Sequence, residues 1–224
     1  MFTTGLIEDH EYRQQVSPEE LDRLLAEGWR HFGTLFFRYN AAVMEGKLQF
    51  IMPLRIDLSE WSATRSQKRV VKKNGDLRTE IRSASIDREK QTMFLRHSLR
   101  FNENRPTSLE NFLHPEPAEI PCRCDEVAVF LDEKLVAVSF LAIGKESVSS
   151  IYGIFEPQYA NRSLGMFTML EEINFAQELG VKYYYSGYST LGPSHYDYKK
   201  GFEALYAYDW GGQWHPLPRS KGEK

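Results

Sequence analysis

The chain has 224 residues, 42% of them apolar, and a net charge of −3. That length and apolar content support a buried core and exclude a disordered chain, while the slightly acidic balance excludes a protein that meets nucleic acid through its overall charge and leaves only a local basic patch for that purpose. Two cysteines, Cys122 and Cys124, give no disulfide framework, no apolar run is long enough for a bilayer, and the polar first residues lack a secretory apolar segment, which together predict a cytoplasmic protein without a membrane partner.

In chain order, residues 1–16 are polar and read as loosely held. Ser17-Pro18-Glu19-Glu20 reads as a helix start, with Ser17 as cap, Pro18 at the first helical position and Glu20 completing a capping box. Leu21, Leu24 and Leu25 give that helix its apolar face and Gly28 ends it. Residues 29–39 alternate as a strand, and residues 47–57 read as its hairpin partner, with Pro53 marking an edge or a bulge. Residues 62–74 predict a helix on which Arg65, Lys68, Arg69 and Lys72 share one face, with Lys73 beside them. A solvated charged face is the plain reading, but no acidic residue interleaves this stripe, so it repels itself, which a neutralising polyanion would explain. A short strand at 77–85 and a helix at 87–101 capped by Asp87 follow. Residues 102–121, with four prolines, read as a surface connection and a boundary. The Cys122–Cys124 pair has no further cysteines or histidine cluster to close a tetrahedral site, so no metal is expected.

Beyond Asp125 the pattern is regular: strands at 126–131, 134–143 and 147–155, a helix at about 163–179 closed by Gly180, and strands at 181–187 and 203–210. Three antiparallel strands, a helix and further strands resemble an N-acyltransferase of the GNAT type. In that fold the strands flanking the helix splay apart, and the donor enters the gap at the helix N-terminus. That junction here is Arg162-Ser163-Leu164-Gly165. An acyl-CoA cradle needs a second small residue where this chain has Phe167, which predicts a poor fit for CoA phosphates.

Several short blocks, in order, resemble the aminoacyl-tRNA–protein transferases, which comprise the arginyl transferases and the bacterial aspartate/glutamate leucyltransferases. They are Asp22 to Arg30 with Gly28-Trp29-Arg30, Pro53-Leu54-Arg55-Ile56, Thr64 to Arg69, Ser149 to Tyr152, Arg162 to Gly165, Glu171-Glu172-Ile173, Tyr185 to Tyr188, and Tyr198-Lys199 with Phe202. The resemblance implies an α+β fold of two GNAT-like halves with mixed, mostly antiparallel sheets: residues 1–105, a connection at 106–121, and a catalytic half at 122–224. It implies transfer of an amino acid, arginine or leucine, from aminoacyl-tRNA to the N-terminal α-amine of a protein or peptide. Aminoacyl-tRNA is then a co-substrate and no cofactor is expected. The chain departs from the family where cysteines are usual, carrying Phe50-Ile51-Met52 before Pro53 and Pro193-Ser194-His195-Tyr196 near the end. An acyl-CoA-dependent N-acyltransferase acting on a small amine and a non-catalytic tRNA- or degron-binding relative are the alternatives.

Attack of an amine on an activated ester needs positioning, a proton acceptor and donors to the oxyanion. Tyr188, Glu156 and His195 are the catalytic candidates. Tyr152, Arg162, Ser163, Leu164, Gly165, Tyr185 and Lys199 are the substrate-binding candidates. Arg65, Lys68, Arg69, Lys72 and Lys73 are the tRNA-binding candidates.

Overall fold

The structure, a computed structural model, describes residues 5–44, 46–101, 105–194 and 197–218. The strands in chain order are β1 (Glu8–Tyr12), β2 (Arg30–Phe32), β3 (Leu35–Tyr39), β4 (Ala41–Met44), β5 (Lys47–Asp57), β6 (Arg78–Ser83), β7 (Cys124–Leu131), β8 (Lys134–Ile143), β9 (Ser147–Phe155), β10 (Tyr183–Thr190), β11 (Leu205–Tyr208) and β12 (Trp214–Pro216). The helices are α1 (Pro18–Ala26), α2 (Arg65–Lys73), α3 (Arg88–Ser98) and α4 (Leu164–Glu178).

Nine strands form one mixed sheet in the order β12-β11-β5-β10-β9-β8-β7-β6, with β4 paired to β5, and β1-β3-β2 form a separate three-stranded sheet. Strands from both expected halves therefore share one sheet: β5, from the first, lies between β10 and β11, and β6 is added outside β7. β10 and β9 run parallel and pair only from Tyr183–Ser147 to Tyr185–Ser149, after which they part. Beyond that point β10 stays with β5, and its register slips between Tyr185 and Gly187. The parting of β9 and β10 in front of α4 is the acyltransferase feature that the element order predicts.

Side-chain alternation along the strands feeds two cores, one on each face of the sheet. On one face Leu164, Leu170, Ile173 and Ala176 of α4 pack on Val127, Val129, Leu141 and Tyr184. On the other, Leu21, Leu24 and Leu25 of α1 and Met93 and Phe94 of α3 pack on Ala128, Val138, Phe140 and Tyr185. α3 is locked to the sheet by a buried carboxylate. Glu126 accepts from Lys90 Nζ at 2.6 Å and from Arg82 Nε at 2.7 Å.

Several local expectations change. Residues 8–12 are held as β1 against β3, because Ile7 and Asn40 fasten the first strand through the Ile7 amide to Asn40 Oδ1 at 3.0 Å. Residues 29–39 make their own hairpin, turning at Gly33 with φ +50°, so residues 47–57 are free to enter the large sheet instead. Pro53 sits inside a central strand at the one interval where it costs little: β4 covers residues 47–50 on one flank and β11 covers 54–56, leaving Pro53 between them. Ser17 caps α1 through the Glu20 amide, but the Glu20 carboxylate turns to Arg13. A full capping box starts α2, where Thr64 and Gln67 bond reciprocally.

Candidate active site

The parted strands open into a cavity of about 960 Å³. One side is the first turn of α4. Ser163 precedes it with φ +57° and contributes no side-chain cap, and Ser163, Leu164 and Gly165 border the cavity at the helix start, the Ser163 amide itself donating to the Ala160 carbonyl at 3.1 Å. Another side is β10 from Ser186 to Thr190. The third comes from β2. Arg30 spans the gap, donating from Nη2 to the carbonyls of Ser150 and Ile151 on β9 at 2.9 and 3.1 Å while its guanidinium lies 5.6 Å from the Tyr188 ring centroid on β10. Arg30 reaches β10 because Gly187 has no side chain: φ there is +92°, and a Cβ would come within 2.7 Å of Arg30 Cζ.

Two titratable groups meet inside. Glu172 projects from α4 with 1% of its surface exposed, accepting from Tyr184 Oη and from Ser150 Oγ at 3.4 Å. Burial pushes its carboxyl up to about 7 against the pull of the hydroxyls of Ser139, Tyr184 and Ser150 and of the Lys199 charge. Lys199 Nζ donates to the carbonyls of Ser186 at 2.8 Å and Tyr188 at 3.5 Å. Burial, then the Arg30 charge, lowers its ammonium to about 7 while Glu172 acts in the opposite sense. Two groups poised near neutrality in one cavity suit proton transfer.

The sequence-based candidates are distributed unevenly around this cavity. Ser163, Leu164, Gly165, Tyr152, Tyr188 and Lys199 line it. Tyr152 stacks on Phe112 at 3.7 Å between centroids. Tyr188 offers its ring rather than its hydroxyl, which donates to the Gly28 and Phe37 carbonyls at 2.7 and 3.3 Å and is pushed upward in pKa by burial. Tyr185 faces the opposite core and packs on Trp214, with Tyr184 taking the position that reaches the cavity carboxylate. Glu156 lies outside the cavity, held bidentate by Arg96. Arg162 turns away to Asp76, at 2.8 and 2.9 Å. Phe167 buries its ring in the sheet–helix core, so the bulk that counted against a CoA cradle is not in the cavity. His195 lies outside the described residues. Arg30 and Glu172 carry no local signal of a shared site: one stands on β2 of the separate sheet and the other on α4, and only the packing of these elements around the cavity brings both to its wall.

The basic helix flanks the mouth. Val70 of α2 lines the cavity, and Asn74, at its C-terminal cap, donates to the carbonyl of Arg162 at 3.0 Å beside the start of α4. Arg65, Lys68, Arg69, Lys72 and Lys73 are all exposed. Lys73 donates to the Asn161 carbonyl. Cys122 and Cys124 are buried on the far side, and burial holds the Cys122 thiol up at about 12.

Residues 84–209 match the sequence pattern of a family described as arginine-tRNA-protein transferase, C terminus. The chain belongs to this family. The arginine-tRNA-protein transferases are aminoacyl-tRNA-dependent enzymes, and membership places the chain among the aminoacyltransferases. Over 194 residues it is 29% identical to the aspartate/glutamate leucyltransferase of Leptospira interrogans, covering 84% of this chain and 74% of that one. Over 200 residues it is 28% identical to the protein of the same name in Campylobacter jejuni, covering 87% and 82%. Among solved structures it is similar to L-PGS from Bacillus licheniformis, with a TM-score of 0.48, 11% identity, and coverage of 83% of this chain and 55% of that one. It is also similar to FemX, with a TM-score of 0.48, 10% identity and coverage of 85% and 65%. The chain thus spans little more than half of the L-PGS structure, and the two superpositions carry no functional argument. In this family member the GNAT-type gap, the helix start and the flanking basic helix converge on one cavity.

Proposed function

We propose that the chain transfers an amino acid from aminoacyl-tRNA to the N-terminal α-amine of an acceptor protein or peptide, in the cytoplasm. The names of its relatives favour leucine as the amino acid and an acceptor that begins with aspartate or glutamate. The observation that carries this reading is the adjacency of α2 to the cavity: an exposed cationic helix face stands beside the mouth of a pocket large enough for an aminoacylated 3′ terminus. The phosphates of the acceptor stem lie along α2, and the terminal ester reaches between β9 and β10. There the first turn of α4 and the rings of Tyr152 and Tyr188 hold it. The ester is already activated, so positioning and electrostatics supply much of the rate. No cofactor enters this scheme, and no helix among the described residues is long and apolar enough to cross a membrane.

An acyl-CoA donor is the competing reading, favoured by one observation: with Phe167 in the core, the first turn of α4 is open to phosphate. A transfer assay separates the two. Purified protein receives labelled leucyl- or arginyl-tRNA, or labelled acetyl-CoA, with peptides beginning in Asp, Glu, Arg or Lys. Label is expected on the Asp and Glu peptides from aminoacyl-tRNA. Turnover of acetyl-CoA without transfer from any aminoacyl-tRNA overturns the proposal.

A further inference from the structure

The cavity contains a buried proton site of the kind the reaction requires, and among the described residues none of the catalytic candidates expected from sequence fills it. An amine that attacks an ester must shed a proton as the new bond forms. Tyr188 has its hydroxyl committed to two backbone carbonyls. Glu156 is closed off by Arg96 outside the cavity. His97 lines the cavity, but its Nδ1 is engaged 3.2 Å from the amide and the carbonyl of Phe155, and burial lowers its imidazole to about 4, which leaves it a weak base. Among the described residues no hydrogen bond joins the hydroxyls of Ser139, Ser186 and Ser189 to an imidazole that could activate them. One carboxylate remains among those lining residues, that of Glu172, and the charged residues there besides it are the cations Arg30, Arg100 and Lys199.

Resting on the aminoacyl-transfer reading, we propose that Glu172 is the proton acceptor of the reaction and that the Lys199 ammonium supplies a proton to the departing 3′ oxygen. The acceptor's α-amine, bound uncharged, attacks the ester carbonyl carbon. A C–N bond forms, the C–O bond to the ribose breaks, the amine proton passes to the Glu172 carboxylate, and a proton from Lys199 completes the 3′ hydroxyl. Lys199 then recovers a proton and Glu172 loses one, so the pair returns to its starting state with no net change. The division of roles follows from the contacts. Lys199 is oriented as a donor by the carbonyls of Ser186 and Tyr188, whereas Glu172 receives hydrogen bonds from Tyr184 and Ser150. Those two donors favour the ionised carboxylate, while burial holds it near 7, where a base is strong enough to take a proton yet ionised often enough to work.

The groups that face Glu172 fix the expected pH behaviour. They are Tyr184 and its neighbour Tyr198, the hydroxyls of Ser139 and Ser150, and Lys199 with Arg30 behind it. At low pH two groups, the acceptor amine and Glu172, must both lose a proton, so log kcat/KM rises with a slope approaching two. In Glu172→Gln the slope falls to one, kcat drops by about 10²–10⁴-fold, and binding of aminoacyl-tRNA is unchanged. Glu172→Asp recovers part of the rate together with the second proton dependence. Tyr184→Phe removes a donor to the carboxylate and moves the acid limb to higher pH, which keeps the test open if the Gln variant does not fold. If the wild-type chain transfers no amino acid at all, the reading of its function fails. If it does, and Glu172→Gln keeps its rate and both proton dependences, or folded Tyr184→Phe leaves the acid limb in place, the assignment to Glu172 is overturned.

Discussion

The cavity wall and the α2 face carry charge in opposite ways. In the wall, Glu172 is buried and Arg30 and Lys199 are half-buried, and all three are held by backbone carbonyls or hydroxyls of β9 and β10. On α2, Arg65, Lys68, Arg69 and Lys72 stand in water, and among the described residues no hydrogen bond or ion pair fixes them. Taking a charge out of water costs several kcal/mol unless its partners are well placed, so the wall demands a specific geometry. A solvated charge costs little and specifies little. The difference matches two tasks: moving one proton at one atom, and attracting a long anion whose backbone offers the same phosphate at every step.

Acid should break the buried side first and most severely. His31, stacked on Phe36, and His97, beside Phe155, are both held neutral by burial, with pKa values lowered to about 4. The unfolded chain protonates them near 6.5, so the stability they contribute is complete above that pH. It is lost as pH falls from about 6.5 toward 4, by on the order of 3 kcal/mol for each histidine. Urea unfolding across that window should show a steep decline that His31→Phe and His97→Phe each make shallower. A decline that begins only below pH 4 would show that neither histidine is buried in this way.

A smaller effect, about 2–3 kcal/mol, is expected from Gly187→Ala, which combines a positive φ with a collision against Arg30. Both stability and transfer should fall, because Arg30 can no longer bridge β9 and β10. Arg30→Ala in the same chain should return the steric part and leave the backbone part, a coupling that a double-mutant cycle measures. Strict additivity would mean that Arg30 does not occupy the gap.

These contrasts also explain what the sequence discloses. The helix start at Ser163–Gly165 and the exposed stripe on α2 are local or periodic features, and local spacing reveals them, whereas the parting of the strands before α4 is expected only through the resemblance of the element order to the GNAT fold. Residues whose role depends on a distant partner stay hidden. Arg162 reads as a phosphate ligand until Asp76, far away in sequence, claims it. Glu156 reads as a free carboxylate until Arg96 closes on it. Tyr184 and Tyr185 differ by one residue and face opposite cores, and the pattern Tyr183-Tyr184-Tyr185 has no polar alternation to set the register. The single shared sheet is equally non-local, since the placement of β5 between β10 and β11 depends on where β4 and β11 cover it around Pro53.

The α2 face should be the least costly place to alter and the most revealing about RNA. Reversing Arg65, Lys68 and Arg69 to glutamate changes only exposed side chains, and stability should move by no more than about 0.5 kcal/mol per site. The Thr64–Gln67 capping box that starts the helix is untouched. Binding of uncharged tRNA should weaken for every tRNA species alike, and the slope of log K against log salt should flatten by about one for each phosphate contact removed. Acceptor-peptide binding should be unchanged, since the proposed acceptor site is in the cavity and not on α2. If tRNA binding and its salt dependence survive all three reversals, α2 is a solvated face, and the cation that draws RNA to this cavity has to be sought at Arg100, which lines the cavity and the neighbouring surface pocket.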